Sequence, residues 1–520
     1  MGVYRRPRPR PRAAGPGPAR DSGAAGRDVA RRSGNPRRAA FQVLAAVENR
    51  EAYANLLLPK LLADRDITGR DAALATELAY GTLRGQGTYD AVLAACSDRP
   101  LDKLDPPVRQ ILRLGAHQLL ATRIGAHAAV ATSVDLAKQV VGPRVSGYVN
   151  AVLRRVATRD LDAWLAIVAP DPAADADGNL AVRCSYPRWI VGAYRAALGD
   201  AADDELEAAL AAGNARPKVT MATLPGGQDR DRVMPADAEP GRWSPYAFTL
   251  DSGNPAGLIA SGQAAVQDEA SQLAAIALTR APLAPAATAG DANSNADADA
   301  NANANANANA DADANDNAEG GERWLDLCAG PGGKSRLLQG LATIAAPRAS
   351  LIAAELRPHR AALVKEALSR AGGQGAAAEV LVADGTRPPW PEASVDRVLV
   401  DAPCSGLGAL RRRPEARWRK AESDIAALAE LQRALLRSAL ATVRPGGVVA
   451  YVTCSPVPAE TRDVVTAVAG ADPDVEILDA QAVLAEVPGT GSAGPLFAQL
   501  WPHRHGTDAI FIALLRRGLH

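Results

Sequence analysis

Two cysteines stand where covalent chemistry could be done. Cys404 lies in DAPCSG (Asp401 to Gly406) and Cys454 in YVTCSP (Tyr451 to Pro456), each after a run of apolar, largely β-branched residues. A methyltransferase acting on an exocyclic amine tends to carry Asn/Asp-Pro-Pro-aromatic at the first of these places, which grips the amine and needs no nucleophile. Here the aromatic is missing and Cys404 takes its position. Carbon 5 of a pyrimidine is too weak a nucleophile to take a methyl group unaided, whereas a thiolate added to carbon 6 makes it an enamine. The remaining cysteines, Cys96, Cys184 and Cys328, read as small buried hydrophobes.

A glycine loop precedes both. LDLCAGPGGKS (325–335) ends in Gly-Lys-Ser like a phosphate loop, but the glycine required five residues before Gly333 is Cys328, and a GxGxxG reading from Gly330 and Gly332 would need glycine at Ser335. What remains is a strand, a tight turn and a helix N-terminus able to receive hydroxyls or a carboxylate close to the backbone. The next two strands are expected to end in acids. Glu355 in LIAAEL suits a ribose diol, and Asp384 in LVADGT suits an adenine amino group. Together they describe a nucleoside pocket with no demand for phosphate, as S-adenosyl-L-methionine requires.

The elements that must position these residues follow from periodicity. Strands are expected at Arg323 to Leu327, Leu351 to Glu355, Val380 to Ala383, Val395 to Val400, Val448 to Thr453 and Ala509 to Leu514, with helices at Ser335 to Ile344, Pro358 to Ala371 and Ile425 to Val443. Strands alternating with helices imply an α/β domain over 321–520, Rossmann-like, with a mostly parallel doubly wound sheet whose ligands lie at the carboxyl ends of the strands. Residues 36–165 carry a helical period broken by glycines and Pro106, giving five to seven short helices. Residues 166–280 read as a small α/β connector with helices at Pro187 to Leu198 and Asp203 to Ala212 and a strand at Val219 to Leu224. The chain is therefore multidomain, all-α and then α/β, as 520 residues require.

Charge is balanced, 58 basic against 58 acidic residues, but unevenly spread. Residues 1–35 form an Arg/Pro-rich basic arm with too little apolar surface to fold, and 281–320 hold a tract of Asn, Asp and Ala that reads as a disordered acidic linker. Between the two cysteine sequences RRRPEARWRK (411–420) sets six basic side chains around Trp418; Arg411, Arg412, Arg413 and Arg417 would neutralise phosphates and Trp418 would stack on an unpaired base. No apolar run reaches membrane-spanning length and no secretory signal is visible, so a cytoplasmic protein is expected. Cysteine spacing suggests neither disulfides nor a metal, and His503 and His505 near Asp508 read as structural.

Taken in order, LDLCAGPGGKS, DAPCSGLGALRRRPEARW, YVTCSPVPAET and LWPHRHGTDAIFIALL resemble the NOL/NOP/Sun family of RNA 5-methylcytosine methyltransferases, and in particular its bacterial 16S rRNA branch. LAYGTLRGQGTYD, VRQILRLGAHQLLATRI and SGYVNAVLRRV resemble the NusB-like RNA-binding domain of that branch. The resemblance covers most of residues 36–520. It implies that Cys328, Ala329, Gly330, Pro331, Gly332, Gly333 and Lys334, with Glu355, Asp384 and Asp401, hold S-adenosyl-L-methionine. It further implies that Cys454 is the nucleophile, that Cys404 helps release the product, that Asp401 faces the flipped cytosine, and that Lys334 orders the site. The implied substrate is 16S rRNA or a small-subunit assembly intermediate, met by a monomer; transfer RNA as substrate and a non-catalytic RNA-binding or antitermination role are the alternatives. Three positions depart from the family pattern: Gly330 replaces a commoner Ala, Ser335 a Thr, and Glu355 an Asp.

Overall fold

The computed structural model describes residues 34–50, 52–251, 255–285, 321–346, 348–371 and 375–519. The basic arm and the Asn/Asp/Ala tract lie almost wholly outside the described residues.

The chain divides into two compact units. The first, ending with Thr82 and resuming over Asp102–Arg155, is helical, with Pro36–Arg50, Ala54–Asp64, Pro106–Ala121 and Ala126–Val140 packed on one another. Its core is the periodic set read from the sequence: Val43 and Leu44, Ile111 and Leu112, and Val149, Val152 and Leu153 are all essentially buried. The second unit takes Leu83–Leu101 as well as everything from Val156. The Gln86–Cys96 helix thus belongs with the larger body, where Thr88 donates to the Val182 carbonyl at 2.6 Å and Ser185 accepts from the Gly87 amide at 2.8 Å.

Residues 166–280 are bound into that larger body. Helices Arg188–Leu198 and Ala202–Ala212 bury Ile190, Val191, Tyr194, Leu206 and Leu210 in one cluster with Leu407, Leu410 and Trp501. The single strand expected here is part of a four-stranded antiparallel sheet of β1 (Val219–Thr223), β2 (Glu239–Pro240), β3 (Ala247–Leu250) and β4 (Ala264–Val266), ordered β2-β3-β1-β4. The Glu269–Arg280 helix follows, with Asp268 capping its first turn.

The main sheet is built from β5 (Arg323–Asp326), β6 (Ser350–Glu355), β7 (Ala377–Val382), β8 (Val395–Asp401), β9 (Val443–Thr453), β10 (Val475–Leu478), β11 (Ala498–Gln499) and β12 (Phe511–Arg517). Its order is β10-β12-β9-β8-β5-β6-β7, with β11 paired to β12. Strands β5 to β9 pair in parallel, while β10, β11 and β12 join antiparallel. Side chains alternate between two cores: Val448, Ala450 and Val452 enter one face, Val449 and Tyr451 the other. With both faces covered by helices, the inner strands read as unbroken apolar runs. Strand order reverses at β5, which has β6 on one side and β8 on the other, so the crevice beyond the carboxyl ends of β5 and β8 is the natural ligand site.

Candidate active site

The loop after β5 is shaped for close approach. Gly332 sits at φ +105°, and the helix Gly333–Ala345 starts directly behind it. A Cβ on Gly330 would lie 2.2 Å from Glu355 Oε2 and 2.9 Å from the Arg360 guanidinium. Glu355, at the end of β6, is buried with both oxygens engaged: Oε2 accepts from the Gly330 amide at 3.2 Å and Oε1 from the Arg357 amide at 3.0 Å. Arg360 faces the same carboxylate at 3.4 Å and donates to the Gly330 carbonyl. Two departures from the family pattern thus meet in space, the missing methyl at 330 making room for the longer acid at 355. Asp384 stands exposed beyond β7, where the Thr386 amide and hydroxyl donate to its Oδ1 at 2.9 and 2.7 Å and hold it below the usual carboxylate range. Those bonds are the bonds of a turn cap.

Beneath the loop lies Asp326, a residue to which the sequence alone assigns no role. It is 1 % exposed, takes the Ser335 hydroxyl at 2.7 Å on Oδ2, and has no hydrogen-bond partner on Oδ1. Burial pushes its carboxyl up to about 7 against the pull of Ser335. A carboxyl raised in the folded state holds its proton longer there than in the unfolded chain. Stability should therefore fall as pH climbs from about 4, where the unfolded chain titrates, to about 7, by about 1.4 kcal/mol for each pH unit crossed. Asp326→Asn should remove that contribution, so thermal unfolding between pH 5 and 8 should move in the variant's favour by a few kcal/mol on that scale. A constant difference across the range would contradict it.

The two cysteines meet because β8 and β9 are parallel neighbours in register, Asp401 opposite Val452, so both chains leave the sheet side by side. Cys404 Sγ and Cys454 Sγ are 3.3 Å apart, and Lys334 Nζ lies 2.8 Å from Asp401 Oδ2. The two sulfurs are not equivalent. The hydrogen bond with Cys404 lowers Cys454 and outweighs burial and the Asp401 carboxylate, which both raise it, with the Lys334 cation adding to the lowering. Cys404 is raised well above a free thiol by its bond to Cys454 and by burial, with the Glu460 carboxylate adding to the rise. Of the two sulfurs, Cys454 is therefore the one that ionises more readily. Burial would discharge Lys334, but Asp401 outweighs it and raises the ammonium. Cys328, partly buried and close to the charges of Asp326, Asp401 and Glu355, is raised well above a free thiol, chiefly by desolvation, and stays protonated.

The basic run departs from expectation. Arg411 is buried with Nη2 2.6 Å from Asp268 Oδ2 and Nε 2.6 Å from Asp508 Oδ1, and Arg412 reaches the same two acids at 2.6 and 3.0 Å. Arg417 is fully buried, donating to the Ser185 carbonyl at 2.9 Å and to Asn214 Oδ1 at 2.7 Å, with its guanidinium 4.1 Å from the Tyr186 ring centre. Trp418 is half-buried against Gly87, where a Cβ would come within 2.6 Å of its ring. Arg411, Arg412 and Arg417 are therefore corrected from phosphate ligands to interior ties, because acids and carbonyls remote in sequence claim their donors. Of the five residues expected to meet RNA, Arg413 alone is exposed. His505 accepts from the Trp501 amide on Nδ1 at 2.8 Å and its Nε2 faces the Pro488 carbonyl at 3.0 Å, while His503 bonds Glu205 at 2.7 Å.

Residues 316–516 match the family profile of the 16S rRNA methyltransferase RsmB/F, and residues 34–158 that of the NusB family. A Mycobacterium tuberculosis (strain H37Rv) protein provisionally named a methyltransferase is 47 % identical over 92 % of this chain and 96 % of its own length. The ribosomal RNA small subunit methyltransferase B of Pseudomonas syringae pv. tomato is 33 % identical over 92 % of this chain and 96 % of its own. Among solved structures, the crystal structure of PH0851 superposes with a TM-score of 0.71 at 22 % identity, covering 93 % of this chain and 98 % of that one, a likeness of fold.

Proposed function

Because this chain belongs to the RsmB/F family of 16S rRNA methyltransferases, we propose that it methylates carbon 5 of a cytosine in small-subunit rRNA, using S-adenosyl-L-methionine and a covalent bond between Cys454 and the base. The observation that carries the reading is the unequal thiol pair, 3.3 Å apart beside the Lys334–Asp401 ion pair.

The cofactor fits the residues present. The Gly330–Gly333 turn opens a helix N-terminus beside the buried carboxylate that ends β6, a set of donors and acceptors that suits a nucleoside, and the residues Cys328 to Lys334 with Glu355, Asp384 and Asp401 would hold it. When bound it supplies a methyl group on a positively charged sulfur. Cys454, as thiolate, attacks carbon 6 of a cytosine drawn out of its stack, since a thiol cannot reach that atom inside a helix. Asp401, fixed by Lys334, accepts from the base amino group or meets ring nitrogen 3, so that electron density released by the attack collects at carbon 5. After carbon 5 has taken the methyl group it loses its proton to a base, the bond between carbon 6 and Cys454 Sγ breaks, and Cys404 assists the departure by returning its hydrogen bond to the leaving sulfur. The protein acts as a monomer in the cytoplasm on rRNA or on an assembly intermediate, a substrate class supported by the NusB-family match. No described helix is long and apolar enough to cross a membrane.

The test is methyl transfer from labelled S-adenosyl-L-methionine to 16S rRNA, followed by digestion to nucleosides. Label in 5-methylcytidine is expected; label confined to transfer RNA, or in another nucleoside, would replace the reading. Gly330→Ala should weaken cofactor binding, because the added methyl displaces a buried carboxylate with both oxygens bonded. Overpacking of this kind costs about 1–3 kcal/mol, or about 5- to 150-fold in Kd where the cost falls on the bound state, measurable by calorimetry. Unchanged affinity would show that Glu355 moves freely.

A further inference from the structure

Glu460 has no part in the chemistry described so far, yet it joins the two cysteine loops. It is completely buried in the short 3-10 turn Pro458–Glu460. Its Oε1 accepts from the Ser405 amide at 2.7 Å and from the Gln432 side-chain amide at 3.2 Å. Its Oε2 accepts from the Ser405 hydroxyl at 2.5 Å and from the Ser455 hydroxyl at 2.6 Å. Ser405 and Ser455 directly follow Cys404 and Cys454 in the chain, and their hydroxyls are 3.1 Å apart. Gln432 also donates to the Pro403 carbonyl at 2.9 Å, and the Tyr451 hydroxyl donates to the Glu460 carbonyl at 2.8 Å, so the turn is fixed from the sheet side as well.

These four donors are neutral. A carboxylate can accept all four at once, and bonds to an ionised acceptor are shorter and stiffer than neutral ones. A glutamine would offer one oxygen and point an NH2 at two hydroxyls. A buried carboxylate bonded in this way ties the residue after Cys404 to the residue after Cys454 through a single side chain.

We propose that Glu460 is a positioning residue that clamps the Cys404 and Cys454 loops together through Ser405 and Ser455, holding the two sulfurs at contact distance. The proposal rests on the thiol chemistry given above as the function, but its test does not. Diamide takes two electrons and two protons from a pair of thiols in contact, closing an S–S bond while its N=N bond is reduced to a hydrazine. The rate of that closure in the full-length chain, followed by loss of titratable thiols against a Cys404→Ser blank, reads the alignment of the sulfurs without any RNA.

Glu460→Gln should slow closure by about tenfold or more while leaving cofactor affinity unchanged, and should lower kcat on the order of 10²-fold with little change in KM for RNA, the scale expected for a displacement of about 1 Å. Ser405→Ala and Ser455→Ala, which each delete one strut, should show the same split in weaker form, and they decide the matter if Glu460→Gln does not fold. Closure at the wild-type rate in variants that unfold at the wild-type temperature would overturn the proposal. A wild-type chain that transfers no methyl group to any RNA would sink the functional reading instead, while the diamide rates would still decide the role of Glu460.

Discussion

Cys404→Ala should accumulate a protein–RNA adduct that survives a denaturing gel, whereas Cys454→Ala should form none. Removing the attacking sulfur eliminates the only route by which carbon 5 becomes nucleophilic, so methyl transfer should fall on the order of 10⁴-fold or more, the scale lost when a covalent nucleophile is deleted. Removing Cys404 leaves the attack possible but takes away the group that helps the sulfur leave, with turnover falling by about 10²- to 10⁴-fold, as for loss of a proton-transfer partner. A second signature follows from the pairing of the sulfurs. The hydrogen bond from Cys404 is the largest cause holding Cys454 below a free thiol. Without it Cys454 titrates higher, so the rate of adduct formation in Cys404→Ala should keep rising with pH over a range where the wild type has levelled off. Adduct with Cys454→Ala and none with Cys404→Ala would reverse the assignment.

Arg411→Ala should be among the most destabilising single changes in the chain. Its guanidinium lies between Asp268 and Asp508, all three side chains less than a tenth exposed, and it also donates to the Gly506 carbonyl at 2.7 Å. Truncation leaves two buried carboxylates with Arg412 as their remaining cation, and breaking a buried pair from one side costs about 3–5 kcal/mol. For a body of this size that corresponds to a fall in Tm on the order of 10 °C. Asp268 also caps the Glu269–Arg280 helix and accepts from the Asp508 amide at 3.0 Å, so the loss should spread to the small antiparallel sheet and the last strand. Thermal unfolding decides between the two roles of this residue. A phosphate ligand would leave Tm nearly unchanged and flatten the salt dependence of RNA binding; an interior tie lowers Tm and leaves the salt dependence as it was.

The contrast between these two predictions marks what the sequence could reveal. Cys404 and Cys454 were legible because each ends a strand buried on both faces, and an unbroken run such as VVAYVTC announces both the strand and the place where it stops. Strands β5, β6, β8 and β9 are buried in the same way, whereas β7 is a largely exposed edge strand, legible only in its short apolar run from Val380. Strand β10 is short and partly exposed and β11 has two residues, so neither carries a period, and in the antiparallel sheet β2, β3 and β4 have only two to four residues each against five in β1. Spacing fails for long-range ties. Arg411 and Asp268 are 143 residues apart, and nothing local in RRRPEARWRK distinguishes an arginine bound for solvent from one bound for a buried acid. Glu460 sat in view inside YVTCSPVPAET, but six residues after a cysteine and in a turn it carried the signature of an ordinary surface acid. In the sequence Gly330 and Glu355 are two separate departures 25 residues apart, and only the 2.2 Å approach makes them one change.

The most direct test uses rRNA in which cytosines carry fluorine at carbon 5. Attack and methyl transfer can proceed on such a base, but no proton is present at carbon 5 to be removed, so the wild-type enzyme should remain joined to its target. Protease digestion and mass spectrometry then identify the residue bearing the nucleotide. The account predicts Cys454 as the bonded residue, with the transferred methyl group on the trapped base. A nucleotide on Cys404, or free 5-methylcytidine from ordinary rRNA with no adduct from the fluorinated one, would contradict it.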